Sequence, residues 1–223
     1  MQYRTIMNAL FTGASLTAFV APSLARAQAW VYPSFQHPHI LRREFNIGVA
    51  AAGDYGTTLV GQWREGVSIG TELTFDVGVA DPDGGDARAL LGGGLAHRLL
   101  QYSTEVPIDL LLTAGLYGSF GDNLNIFRVP FGATIGHRFP LEGGAAITPY
   151  VHPRVSVDFC GGDGCGGDNS DVGVAFDIGL DAELTQQLGL RGALTFGGIG
   201  VFDNDDTGFG LSLSWKPKGL NPR

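Results

Sequence analysis

The chain has 223 residues, with 22 Asp and Glu against 14 Lys and Arg and a formal charge of −8. That is enough sequence for one domain, and it is too acidic to carry the Lys/Arg footprint that nucleic acid requires. Its 35 glycines follow no collagen-like period, and past the N-terminus no run of 18 uncharged apolar residues could form a helical membrane span.

Residues 1–29 read as a secretory signal peptide. Arg4 supplies a positive start, Ala9 to Val20 an apolar stretch, and Ala25-Arg26-Ala27 and Ala27-Gln28-Ala29 both fit a small-x-small cleavage site. Cleavage after Ala29 is favoured, with Ala27 as the other position; an uncleaved apolar anchor is the alternative. No Cys stands at the cut, which argues against lipoprotein processing. Losing Arg4 and Arg26 would take the formal charge from −8 to −10. Residues 30–43 carry two prolines, Pro33 and Pro38, and no clean period. They are expected to be an extended N-terminal lead-in on the periplasmic side.

From residue 44 to 216 the dominant signal is a two-residue rhythm. Successive side chains on a β-strand point to opposite faces, so alternation of apolar and polar positions marks strands. Ten are expected. The first, 44–52, shows Phe45, Ile47, Val49 and Ala51 on one face. The second, 57–63, is short, with Leu59, Gly61 and Trp63 together. The third, 66–80, opposes Val67, Ile69, Leu73, Phe75, Val77 and Val79 to Ser68, Glu72 and Asp76. The fourth, 87–100, is blurred by Gly92-Gly93-Gly94. The fifth, 106–119, sets Leu110, Leu112 and Leu116 against Asp109, Thr113 and Tyr117. The sixth runs Phe127, Val129, Phe131, Ala133, Ile135, His137 and Phe139 along one face. The seventh, 145–159, places Tyr150, His152, Arg154 and Asp158 opposite Val151, Val155 and Val157. The eighth, 171–184, alternates Val172, Val174, Phe176, Ile178 and Leu180 with Asp177, Asp181 and Glu183. The ninth, 188–200, and the tenth, 207–216, close the pattern, with Arg191 and Ser212 on the polar side. Residues 217–223 are left as a tail.

Two kinds of connection alternate along the chain. Short ones are expected at 64–65, 101–105, 139–144 and 185–187, and mostly longer, Asp- and Gly-rich ones at 53–56, 81–86, 120–124, 160–170 and 201–206. An up-and-down meander produces such alternation, and outer-membrane barrels have short periplasmic turns and longer outside loops. The pattern therefore points to a ten-stranded antiparallel transmembrane β-barrel, with eight strands as the alternative count.

A soluble sandwich would show Lys, Glu and Thr on its polar face. Here that face is Gly, Ala, Ser and Thr with spaced ions of both signs: Arg88, Arg98, Arg128, Arg138, Arg154 and Arg191 in phase with Glu72, Asp76, Asp109, Asp158, Asp177, Asp181 and Glu183. Paired charges are tolerated in a crowded interior where lone ones are not. Arg replaces Lys almost throughout, which suits bidentate pairing. The alternative is a set of ions on a solvated surface.

The signal, the ten amphipathic strands and the closing segment Gly208-Phe-Gly-Leu-Ser-Leu-Ser-Trp215 resemble the small outer-membrane β-barrels of Gram-negative bacteria, the OmpA/OmpX/OmpW-like superfamily. The resemblance implies contact with outer-membrane lipid and lipopolysaccharide and delivery by the barrel-assembly machinery. Members usually end on an aromatic strand; here Lys216 to Arg223 follow Trp215.

Little in the sequence carries catalytic chemistry. Some barrels of this kind are lipid-modifying enzymes or proteases, but His97 and His137 fall near the short-turn end and no His lies in a loop. His152 sits inward beside Arg154 and Asp158, as part of the ion network or as a proton relay. His37-Pro-His39 is a weak metal pair, since two ligands rarely suffice. The Asp81–Asp86 and Asp203–Asp206 runs offer oxygen donors for weakly held divalent cations, or are simply solvated acidic loops. Cys160 and Cys165 are read as a disulfide, with free thiols or a metal as the alternatives. The expectation is a non-enzymatic barrel without a cofactor, structural or surface-contacting, its polar lumen largely filled; a narrow porin-like channel and a lipid-modifying enzyme are the alternatives.

Overall fold

A computed structural model describes residues 32–52, 56–83, 85–165, 170–199 and 207–218. The proposed signal peptide and its cleavage sites lie outside the described residues, as do Asp54, Asp168 and the Asp203–Asp206 run.

The alternating segments form ten long strands: β1 (Arg43–Ala52), β2 (Thr57–Ser68), β3 (Thr71–Asp81), β4 (Arg88–Leu100), β5 (Asp109–Phe120), β6 (Asn125–Gly136), β7 (Ala146–Gly161), β8 (Ser170–Glu183), β9 (Leu188–Ile199) and β10 (Thr207–Trp215). Each pairs antiparallel with its neighbours in sequence. β1 also pairs with β10, Phe45 opposite Trp215 through Ala52 opposite Gly208, so the sheet closes on itself. Closure leaves no unpaired edge. A two-residue bridge, Phe139–Pro140, adds to the edge of β7.

Polarity is inverted relative to a soluble protein. Outward side chains such as Ile47 (57% exposed), Val77 (53%) and Leu116 (58%) are apolar and bare, whereas Glu72, Asp177 and Arg191 are fully enclosed. Water would penalise that outer face, since each square ångström of apolar surface left in it forgoes about 25 cal/mol.

Glycines make room for inward aromatics. A Cβ at Gly92 would stand 1.9 Å from the Tyr117 ring, and one at Gly179 would stand 2.1 Å from the Tyr150 ring. The glycine run that blurs the alternation of β4 is therefore the floor on which Tyr117 lies.

Two sequence expectations need correction. The β2–β3 turn is not at 64–65. β2 continues through Arg64 and Glu65, slips register between Gly66 and Ser68, and turns at Ile69-Gly70, where Gly70 takes φ +83°. Arg64 faces the lumen and Glu65 pairs with Arg43 on β1 at 2.6 Å, so the charged pair is part of the wall. Nor are the turns of one end uniformly short: the β4–β5 connection runs 101–108 and the β6–β7 connection 137–145. Loop length alone thus does not orient the barrel.

Candidate functional site

The lumen is occupied by the chain itself. Residues 32–42, expected as a periplasmic lead-in, are extended but run through the inside of the barrel. At one end Tyr32 packs with Ala50 and Ala52, next to the β1–β2 loop. At the other, the Arg42 carbonyl accepts from Gly66 N at 3.0 Å, beside the β2–β3 turn. The segment therefore spans the barrel from the loop end to the turn end before reversing into β1. Ten strands enclose more space than the eight whose side chains fill a barrel unaided, and the segment takes up the difference.

The wall receives it in two ways. Small residues make recesses: Phe35, 1% exposed, seats over Gly48 and Gly210, where a Cβ would lie 3.3 and 2.5 Å from its ring, and Pro38 sits over Gly136. Long cations reach its carbonyls. Arg64 donates to Phe35 O at 2.8 Å, Arg191 to the same oxygen at 3.0 Å, Arg154 to Tyr32 O at 3.1 Å, and Gln62 to Ser34 O at 3.3 Å. Charged donors give the stronger hydrogen bonds, and these need no particular side chain on the segment.

Carboxylates on neighbouring strands hold those cations. Arg191 donates to Asp181, its cross-strand partner, and to Glu44, both at 3.2 Å. Arg154 donates to Asp177 at 2.9 Å, and Asp177 also accepts from Thr195 and Ser34. Arg64 stands between Glu44 and Glu72, 4.0 and 3.7 Å away, outside hydrogen-bond range. Asp76, the cross-strand partner of Gln62, lines the same space with Tyr117. A cavity of about 50 Å³ remains between Ser34 and Gln36 of the segment and Gln62, Arg64, Asp76, Arg128 and His152 of the wall.

The remaining expected network residues divide. Arg128 and Asp158, directly opposite on β6 and β7, form a two-pronged pair at 2.7 and 2.5 Å. Glu183 accepts from Arg138 at 2.9 Å and from Lys216 at 2.7 Å near the turn end. Asp109 is buried, but it accepts from Tyr102 N and lies 3.9 Å from His39, with no Arg beside it among the described residues. Arg88 points inward, yet it ties down the β5–β6 loop through Ser119 and the Leu124 carbonyl. Arg98 does not join the network: at the turn end of β4 it donates to Gln101.

Sequence reasoning missed Glu44, Arg64 and Lys216, along with the whole segment 32–42. For Arg64 the signal was present, since it continues the Val60–Gln62 face of β2. Cys160 and Cys165 are joined by a disulfide at the loop end. His97 accepts or donates at Thr71 on the rim, and His137 lies tilted against Tyr102 and edge-on to Phe139.

His152 is the one imidazole placed for proton chemistry. Its Nε2 is 2.9 Å from Thr113 Oγ1, and its Nδ1 is 2.7 Å from Ser34 Oγ and 3.3 Å from Asp177 Oδ2. Ser34 shares the carboxylate's side of the ring, so a serine–imidazole–carboxylate relay is not formed. His37 and His39, with ring centres 5.8 Å apart, face different carboxylates, Glu44 and Asp109. Among the described residues no group of three or more His, Cys, Asp or Glu side chains is arranged to hold a metal ion.

No protein-family model matches the chain, and no curated protein matches it. Solved structures do, at low similarity. The chain overlays a bacterial polysaccharide outer membrane secretin (9% identity, TM-score 0.47), covering 76% of itself and 58% of that chain. It also overlays the β domain of the Bordetella autotransporter Brka (12%, TM-score 0.47; 78% and 99% covered) and the KdgM porin (8%, TM-score 0.40; 78% and 99%).

Proposed function

We propose that this chain is a non-enzymatic β-barrel of the Gram-negative outer membrane, structural or surface-contacting in role, with its lumen closed by its own N-terminal segment and by ion pairs. One observation carries the reading: a ring of strands whose outer face is bare Leu, Val, Ile and Phe while Glu44, Arg64, Glu72, Asp76, Asp177, Asp181 and Arg191 are enclosed. Only hydrocarbon makes that arrangement favourable, because a closed barrel satisfies every backbone group internally and presents oil to oil. The aromatic pair Phe45–Trp215, with ring centres 5.6 Å apart at the turn end, suits the membrane interface. Lipid and lipopolysaccharide are the expected partners of the wall and of the Asp-bearing loops, which weakly held divalent cations would bridge to phosphate. Trp215 on the last strand is the feature the assembly machinery would read.

Fractionation of expressing cells followed by gel mobility with and without boiling tests this. A fast, heat-sensitive band from the outer membrane is expected. A chain that is monodisperse in buffer without detergent refutes it. A narrow channel for small solutes is the second reading, favoured by the cavity beside Arg64 and Arg128.

A further inference from the structure

We infer that residues 32–42 are a removable gate, and that the lumen they vacate passes small cations. The inference rests on the membrane-barrel reading above and goes beyond it.

The segment is inside the barrel but is not part of its wall. None of residues 32–42 belongs to a strand, and among the described residues it joins the wall covalently at Arg43 alone. Its grip is made of side-chain donors on its carbonyls, the Ser34 contacts to Asp177 and His152, the Gly66 bond to the Arg42 carbonyl, and Tyr32, Phe35 and Pro38 against small wall residues, with no strand ladder. That grip carries identifiable costs. Phe35 adopts φ +52°, a left-handed conformation that a bulky residue rarely takes and that costs on the order of the strain seen at switch sites. Arg64, fully enclosed, has Nε and Nη1 without hydrogen bonds, and Gln62 Oε1 is equally unserved. Buried groups of this kind need a partner, from the protein or from solvent. The cavity of about 50 Å³ lies against the same stretch. Withdrawal of the segment releases the Phe35 backbone and opens Arg64 and Gln62 to solvent.

Withdrawal also sets the character of the pore. Five wall carboxylates look onto the segment, Glu44, Glu72, Asp76, Asp177 and Asp181, against three guanidiniums, Arg64, Arg154 and Arg191. Once hydrated, all eight groups are ionised at neutral pH, leaving two negative charges in the middle of a narrow, low-dielectric tube. Such a tube focuses their field and draws in cations. Losing Phe35 O, Arg64 is free to close on Glu44 and Glu72. The Arg128–Asp158 pair stays neutral on the wall.

The experiment uses the mature chain, a variant lacking residues 32–40, and Phe35→Ala, each reconstituted in planar bilayers under a tenfold KCl gradient. The intact chain should be closed most of the time. Phe35→Ala should open at least several-fold more often, and the deletion should conduct steadily, with a reversal potential of the sign set by K⁺. Glu72→Gln with Asp76→Asn in the deletion background should bring the cation-to-anion permeability ratio toward 1. A deletion variant that keeps its heat-sensitive mobility yet does not conduct overturns the gate. If it conducts without preference or prefers Cl⁻, the selectivity claim falls. Should the deletion not fold, Phe35→Ala decides, and unchanged openings refute the gate. Failure of the intact chain to insert at all would refute the membrane reading instead.

Discussion

Arg191→Met tests whether the enclosed charges are a matched set. Arg191 is fully buried and donates to Asp181, Glu44 and Phe35 O at 3.0–3.2 Å. Glu44 would keep Arg64 at 4.0 Å and His37 at 3.7 Å as neighbours. Asp181 would lose its one ion pair among the described residues. Breaking a buried pair from one side costs about 3–5 kcal/mol, because the abandoned charge stays desolvated. We expect about 4 kcal/mol from urea titration in lipid vesicles, followed by Trp fluorescence and by the heat-sensitive gel band. Adding Asp181→Asn removes the stranded charge and should return about 2 kcal/mol, within the range of coupling between contacting residues. Arg191→Lys should fall between, since an ammonium cannot serve three acceptors spread over a planar fork. A single-variant loss below about 1 kcal/mol, or a double variant no better than the single, would refute a dry, charge-paired lumen.

Three further outcomes follow from the wall. Gly179→Ala forces a Cβ to within 2.1 Å of the Tyr150 ring, so it should cost about 1–3 kcal/mol, and Tyr150→Leu in the same chain should recover most of it in the same titration. Val77→Arg puts a charge on the exposed face in the middle of β3 and should cost about 2–4 kcal/mol in vesicles; a cost near zero would mean that face meets water. Cys160→Ser opens a disulfide spanning five positions, and loop-closure entropy sets the loss at about 2 kcal/mol, read by unfolding without reductant.

The strands were legible because alternation is a local property: any nine residues of β8 display it. Cross-strand pairs such as Arg128–Asp158 and Arg191–Asp181 were legible as sets, since each lies in phase with its partner. What escaped was whatever depends on a turn or on an aperiodic stretch. Placing the β2–β3 turn at Arg64-Glu65, a polar pair beside Gly66, took Arg64 off the inner face and with it a fully buried cation that holds the Phe35 carbonyl. Residues 32–42 escaped because a segment recognised through its carbonyls leaves no pattern in its side chains. The complementary trace was on the wall, in Gly48, Gly66, Gly136 and Gly210, where missing side chains make way for an insert. Arg98 keeps the inward parity of Arg88 and Ala96, but it lies at the turn end of β4, where its side chain reaches Gln101, and alternation carries no information on depth along the barrel.

The path of residues 32–42 also bears on how the molecule can be put together and handled. The stretch precedes β1, and β1 is the strand that meets β10 to seal the ring. Either the seam zips up around a guest already in place, or a loose end must be threaded through a finished tube past Arg191 and Arg64. Because Tyr32 sits by the β1–β2 loop while Trp215 ends at the opposite rim, an epitope fused just ahead of Tyr32 would emerge from one mouth and one fused after Lys218 from the other.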